Sequence, residues 1–559
     1  NPSLVGSEMC IRDRKEDSME KNFDYIVVGA GSAGCVMANR LSQDGENSVL
    51  VLEAGGKDKN FFIHMPSGYS QIVPTKNDVN YGFETEPEST TNNRKLYWPR
   101  GRGWGGSSSI NAMVYIRGHA HDYDLWRQMG NEGWSYENVL PYFKKAESFN
   151  GEGDKDFHGF EGPLHVKKSE RTDDELLDVF VEAGQQAGFP FTNDFNGEEQ
   201  EGFSRYEHTM SDTKLGPRRW SSARAYLHPA LKRKNLSTET NVQVNKVLFE
   251  GKKAIGVEYQ QKGKITQVKA NKEVILSAGA INSPQILMNS GIGDSSELAK
   301  HGISTVHELK GVGKNLQDHY AVVNSFNCTQ PVTLHRSASF LKTQLSGLKY
   351  LLLGTGDAAF PPTSAGAFIK SSPEKDIPDT QIHYASFHSP DLHGREGIDS
   401  NHGFSAVICI LRPQSRGHLE LKSSDPSEPP LMYPNYLSEE QDVIDTRNAF
   451  RESRRVFMQS AFDEYRGEQS KPSPDLNVDN DDEVDQWVRD TGETLYHPVG
   501  TCKMGNDDMA VVDDNLKVKG VDNLRVVDAS IMPTLIGGNT NAPSIMIAEK
   551  AADIIRQSA

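Results

Sequence analysis

The stretch from Asp24 to Glu53, DYIVVGAGSAGCVMANRLSQDGENSVLVLE, leaves little freedom in how this part of the chain folds. Tyr25 to Val28 form a short apolar run, which reads as a buried parallel strand. Gly29, Gly31 and Gly34 follow in the GxGxxG pattern, and Ser32 to Leu41 have helical composition with Ala33, Val36, Met37 and Leu41 on one apolar face. Ser48 to Leu52 supply a second strand, and Glu53 closes it, about 20 residues beyond the last glycine. Each part has a physical task. Gly29 permits the tight turn, Gly31 lets backbone approach a pyrophosphate at the helix N-terminus, Gly34 allows helix to pack closely on strand, and Glu53 can accept from a ribose hydroxyl. A glycine-rich turn between core elements would account for the glycines alone, but not for strand, helix, second strand and acid in the required order. The reading is a Rossmann-type βαβ unit; by itself it does not separate NAD from FAD.

With 559 residues the chain has room for more than one folding unit. Its 36% hydrophobic and 25% charged residues are ordinary for a globular protein. The net charge of −17 argues against a nucleic-acid partner, which needs clustered Lys and Arg. Five cysteines, at positions 10, 35, 328, 409 and 502, show no CxxC pair, so a reducing compartment is expected and a disulfide scaffold is not. No apolar run approaches the roughly 20 residues of a membrane span, and no signal-peptide core is visible. The cytoplasm is the expected compartment, with peripheral contact to the inner membrane left open. Asn1 to Ser18 lack periodicity, and SLVGSEMCIRDR resembles translated adaptor sequence; residues 1–18 are expected to be non-native or disordered.

Two further segments carry a family resemblance. RGRGWGGSSSINAMVYIRG (Arg100–Gly118) is a Gly- and Ser-rich loop running into apolar residues, suited to presenting backbone amides to phosphates or a flavin ring. GAINSPQILMNSGIG (Gly279–Gly293) follows the apolar run Val274–Ala278. With TLYHPVGTCKMG (Thr494–Gly505) and the closing segment Val521–Ile555, they resemble the motifs of the glucose–methanol–choline oxidoreductase family from about Asp24 to Ile555. The resemblance implies an α/β protein with a Rossmann-type FAD-binding domain and a second α+β substrate domain whose antiparallel sheet roofs the flavin. The expected division is 19–226 and 227–330 in the FAD domain, 331–507 in the substrate domain, and 508–559 returning to the FAD domain. Gly403–Pro426 reads locally as two strands around a turn, and Ser371–Asp379 and Ser470–Asp482 as loops.

Carried over by position, the family's FAD contacts fall on Gly29, Gly31, Ser32, Ala33, Gly34 and Glu53, on Ser107, Asn111, Val114 and Val244, and on Asp528, Ala529, Asn541 and Pro543. Where some members carry a His bonded covalently to the flavin, this chain has Ile110, so FAD is expected to be non-covalent. The resemblance also implies the reaction, oxidation of a primary alcohol to the aldehyde with hydride passing to flavin N5. That chemistry needs a base and a grip on the hydroxyl oxygen. His497, in HPVGTCKMG, matches the family's base, and Asn541 matches its partner position, while also suiting a helix N-cap before Ala542. His319 in NLQDHY reads as structural near the flavin, and no metal-ligand set is expected. Choline-specific members place a Glu two residues after that His; here Ala321 stands there, which favours a neutral alcohol over a quaternary cation. Choline itself is the second expectation. Hydroxynitrile lyase and fatty-acid photodecarboxylase, hosted by the same fold, are the alternatives. The electron acceptor (oxygen, a quinone or a carrier protein) and the oligomeric state are not legible.

Overall fold

The computed structural model of the protein describes residues 22–168, 170–337, 340–361, 363–389, 391–396 and 401–558. The suspect leader, residues 1–18, lies outside them. The expected βαβ unit forms as strand Asn22–Val28, helix Ser32–Leu41 and strand Val49–Glu53. The two strands pair in parallel, and Leu236–Thr240 adds a third parallel strand beyond Val49–Glu53. On the other side Lys264–Leu276 pairs in parallel with the first strand over its apolar end. Its polar end turns into an antiparallel meander with Lys253–Gln261 and Gln243–Glu250. Leu524–Val526, from the far end of the chain, completes this seven-stranded sheet beside Val274–Leu276. Strands buried on both faces explain why Tyr25–Val28 and Val49–Leu52 read as continuous apolar runs rather than alternating ones.

The closing helix Asn541–Ser558 packs on Ser32–Leu41. Arg40 meets Glu549 through two parallel hydrogen bonds of 2.9 and 2.6 Å, and the Tyr226 hydroxyl donates to the same carboxylate. Burial of that carboxylate is matched by charge-assisted donors on both oxygens, which ties the C-terminal return to the nucleotide-binding start.

The second sheet is antiparallel, in the order Arg466–Lys471, Tyr320–Cys328, Gly403–Ile410, Thr380–Ala385, Thr363–Ile369 and Gly202–Arg205, with Glu493–Thr494 pairing at one end of Tyr320–Cys328. It departs from the expected division in two places. Tyr320–Cys328, expected in the FAD portion, lies inside this sheet, and Gly202–Arg205 joins it from a segment assigned to the nucleotide-binding start. The two strands expected in Gly403–Pro426 exist, but His418–Glu420 pairs with Leu431–Tyr433 rather than turning back on Gly403–Ile410. Strand alternation gives this sheet two different faces. Val322, Phe326, Ile382, Tyr384, Phe404, Ala406 and Ile408 share a core with helix Glu440–Phe457. Val323, His383, Ala385, Ser405 and Val407 point the other way, into a cavity between this sheet and the first.

Candidate active site

The cavity runs from the glycine turn of the first sheet to the roof formed by the second. Of the residues to which the resemblance assigns cofactor contacts, its lining includes Gly29, Gly31, Ser32, Ala33, Glu53, Ser107, Asn111, Val114, Val244, Asp528, Ala529 and Asn541. Gly34 and Pro543 are not on its wall. Gly34 acts as a packing residue, since an added Cβ would lie 1.9 Å from the Gly29 carbonyl oxygen. Pro543 is buried within the closing helix.

The chemistry of the wall suits a dinucleotide. Gly29 has φ +98°, and a Cβ there would sit 2.5 Å from the Ser277 carbonyl oxygen, so only glycine makes this turn. A Cβ on Gly31 would meet the Ser277 carbonyl oxygen at 3.9 Å, an ordinary contact, so the protein's own packing does not require glycine at this N-terminus of Ser32–Leu41, the place a pyrophosphate takes. Glu53 is held by backbone amides of Ala30, Gly55 and Gly103 at 2.7–2.9 Å, which bring the glycine turn and the Arg100–Gly118 loop together around one carboxylate. Asp528 accepts from the Gly279 amide at 2.9 Å, the Ser283 hydroxyl at 2.6 Å and the Ser530 amide at 2.8 Å; burial raises its carboxyl above the ordinary range. Ser107 accepts from Arg100 at 2.8 Å, and Asn111 accepts from Arg219 at 2.6 Å. These fit FAD and name the side chains that would hold it. Ile110 lines the same cavity and packs with Ile63, Ile72 and Val73, leaving no nucleophile at that position.

His497 lies at the other end, in a chain of hydrogen bonds whose directions can be assigned from one end to the other. The Leu411 carbonyl can only accept, so the His319 Nε2 facing it at 3.1 Å carries a proton. His319 is fully buried, and desolvation pushes its imidazole down to about 4, so it is neutral and its Nδ1 must accept. The His497 Nδ1–H therefore donates to His319 Nδ1 at 2.8 Å. That leaves His497 Nε2 without a proton, and its lone pair accepts from Asn539 Nδ2 at 3.2 Å. The Asn539 amide cannot flip, because its Oδ1 accepts from Gln381 Nε2 at 3.1 Å. Gln381 is fixed in turn by the Tyr206 hydroxyl, which donates to the Ile382 carbonyl at 2.9 Å and accepts from Gln381 Nε2 at 3.2 Å. Two backbone carbonyls thus set the tautomer of His497.

The surroundings also keep His497 uncharged. Burial lowers its imidazole well below the ordinary value, reinforced by neighbouring His319, His383 and Arg100. Its backbone amide and that of His319 both donate to Asp318, at 2.7 and 2.9 Å, and the same carboxylate accepts from Thr494 at 2.5 Å and from Tyr436. Desolvation raises Asp318 to about 6 despite these donors. Arg100, lowered to about 10 by burial, donates to the Tyr496 carbonyl at 2.5 Å and steadies the turn that carries His497. Strand alternation brings His383 to the same wall; its Nε2 is buried without a partner, and desolvation lowers its ring to about 3.

The asparagine hydrogen-bonded to His497 is Asn539 rather than Asn541, the partner expected from the sequence. Asn541 opens the closing helix and accepts from the Ser32 hydroxyl at 2.7 Å, on the cofactor side, whereas Asn539, two residues earlier in the loop, faces the imidazole. His319, read as structural, is the residue that orients the His497 imidazole. Gln381, Tyr206 and His383 were missed altogether; no local motif marks them, because segments far apart in sequence bring them together.

Comparison with known proteins agrees with this architecture. Residues 23–321 and 413–548 match the N- and C-terminal models of the GMC oxidoreductases. The mitochondrial choline dehydrogenase of Mus musculus is 47% identical over 96% of this chain and 89% of its own length. The oxygen-dependent choline dehydrogenase of Photobacterium profundum is 45% identical over 96% and 93%. Among solved structures, pyridoxine 4-oxidase from Mesorbium loti superposes with a TM-score of 0.84 at 29% identity, covering 96% of this chain and 99% of that one. The chain belongs to the GMC oxidoreductases, and it is an FAD-dependent enzyme acting on CH–OH donors.

Proposed function

We propose that the enzyme oxidises a neutral primary alcohol to its aldehyde, with His497 Nε2 taking the hydroxyl proton. The observation that carries this is the anchored hydrogen-bond chain, which leaves a neutral, unprotonated Nε2 at the cavity wall. Asn539 Nδ2 and the unpartnered His383 Nε2 stand on the same wall, where each can donate to an oxygen that gains negative charge as its proton leaves. Bound FAD supplies the two-electron sink for the hydride of the carbinol carbon. Gly29, Gly31, Ser32, Glu53, Ser107, Asn111, Asp528 and Ala529 would hold it, without a covalent link at Ile110.

The preference for a neutral alcohol rests on Ala321. It lies in an apolar cluster with Val114, Ile116, Cys409, Leu411 and Leu495, beside walls formed by Val323, Val407, Phe387 and Leu392. Choline is the second reading. Its support is the choline dehydrogenases among the relatives and the presence of Asp391, Tyr69 and Tyr496 on the cavity wall. Anaerobic mixing of the FAD-loaded enzyme with a panel of neutral alcohols and choline tests both. Bleaching of the flavin absorbance by neutral primary alcohols is expected, faster than by choline. Bleaching by choline alone would replace the first reading with the second, and none with any alcohol would overturn alcohol oxidation by this site. Acid precipitation of the same sample should leave the flavin in the supernatant; yellow pellets would contradict the reading of Ile110.

A further inference from the structure

Helix Phe340–Leu353 turns its apolar side the wrong way for a helix lying on a protein surface. Leu345, Leu348, Leu351, Leu352 and Leu353 are 49–73% exposed. The side facing the protein carries Tyr350, which is buried with Met65, Ala358 and Ala359 and donates to the Pro217 carbonyl at 2.9 Å, with the small Ser346 and Gly347 beside it. At 100° per residue Leu345, Leu348, Leu351 and Leu352 fall within one arc opposite Tyr350, and Lys342 and Lys349 lie along one margin of that arc. The hairpin tip at Leu215, 61% exposed, extends the patch, because Gly216 abuts Gly354 at the end of the helix.

Charge chooses the occupant. The chain carries −17 overall, yet this helix contains no Asp or Glu. Lys342, Lys349 and Lys214 are exposed, and Arg218 and Arg224 lie near enough to Tyr350 to bias its hydroxyl. The nearby acids Asp357 and Asp212 are each paired, with Arg171 at 2.5 Å and Lys167 at 2.7 Å. No helix among the described residues is long and apolar enough to cross a membrane, so this one would lie in the plane of a surface. A second copy of the chain fits less well, since a two-fold contact would set one basic patch against its own image.

We infer that Phe340–Leu353, with the Leu215 hairpin tip, is a docking surface for an anionic lipid bilayer, leucines entering the acyl boundary and lysines meeting the headgroups. The surface stands apart from the hydrogen-bond chain of His497, so docking and alcohol oxidation are separable in experiment. The helix packs on Met65 and Phe61, in the segment that continues to Tyr69 on the cavity wall, so docking would bring that wall close to the lipid.

The test is co-sedimentation of the FAD-loaded enzyme with vesicles of phosphatidylcholine alone or with phosphatidylglycerol added. Binding to the anionic vesicles is expected, and L348Q/L352Q should weaken it about a hundredfold, the partition value of two aliphatic side chains. K342Q/K349Q should weaken it about twentyfold, and only on the anionic vesicles. Both variants should bleach with alcohol in solution as the parent does, which separates a lost surface from a lost fold. Absence of binding, or binding that the leucine variant leaves unchanged, overturns the inference. So does sedimentation equilibrium showing a dimer that L348Q/L352Q disperses, because the patch would then be covered by a second copy.

Discussion

Two asparagines separated by one threonine offer a sharp test of the site. Asn539→Ala removes the amide donor that stands 3.2 Å from His497 Nε2 and is held in orientation by Gln381. A fixed donor at the point where an oxygen becomes negative is worth about 10²–10³ in rate, so flavin reduction at saturating alcohol should fall by that factor with FAD still bound. Asn541→Ala removes a different interaction, the 2.7 Å bond from the Ser32 hydroxyl that ties the first residue of the closing helix to the first residue after the glycine turn. One neutral hydrogen bond contributes about 0.5–1.5 kcal/mol, so this variant should hold FAD up to about tenfold more weakly and reduce it at nearly the parent rate once loaded. Anaerobic stopped-flow absorbance gives the reduction rate, and fluorescence titration with FAD gives the affinity. If Asn541→Ala loses the rate while Asn539→Ala keeps it, the assignment of the oxygen-side donor from geometry is wrong.

Two other outcomes follow from the same site. Because burial holds the His497 imidazole well below its ordinary value, the reduction rate should be flat across neutral and mildly alkaline pH, falling only on the acid side as Nε2 gains a proton; a single inflection near the ordinary value of about 6.5 would contradict the environment described for it. Ala321→Glu should shift kcat/KM from neutral alcohols toward choline by about tenfold or more, the worth of one charge pair away from water, and an unchanged ratio would remove Ala321 from the specificity argument.

What the sequence discloses and what it hides divide along physical lines. The glycine turn and Glu53 are legible because strand, turn, helix and acid are consecutive, and the steric demands on Gly29 and Gly34 are local. His497 is legible through the motif around it. The distinction between Asn539 and Asn541 is not, since it depends on where the closing helix begins, and two asparagines one residue apart take different partners, His497 and Ser32. The chain of Tyr206, Gln381, Asn539, His497 and His319 joins five separate segments, and no spacing rule marks it. The limits of the substrate-side sheet are hidden for the same reason. Tyr320–Cys328 looks like any apolar strand until its partners, Gly403–Ile410 and Arg466–Lys471, are known.

The carbonyls of Leu411 and Ile382 that fix the tautomer of His497 also decide where its proton can go afterwards. A carbonyl of a peptide bond is no proton carrier at ordinary pH, so the hydrogen-bond chain is closed at both ends and cannot act as a wire to solvent. If His497 is the base proposed above, the imidazolium formed on it would be penalised by burial and by the nearby Arg100 cation, and it would not persist. Its proton must leave by the face on which it arrived, through water or a group admitted to the cavity once the aldehyde moves away. Product departure and proton discharge then share one doorway, and a mutation that only narrows that doorway would slow the recovery of the base as well as the exchange of ligands.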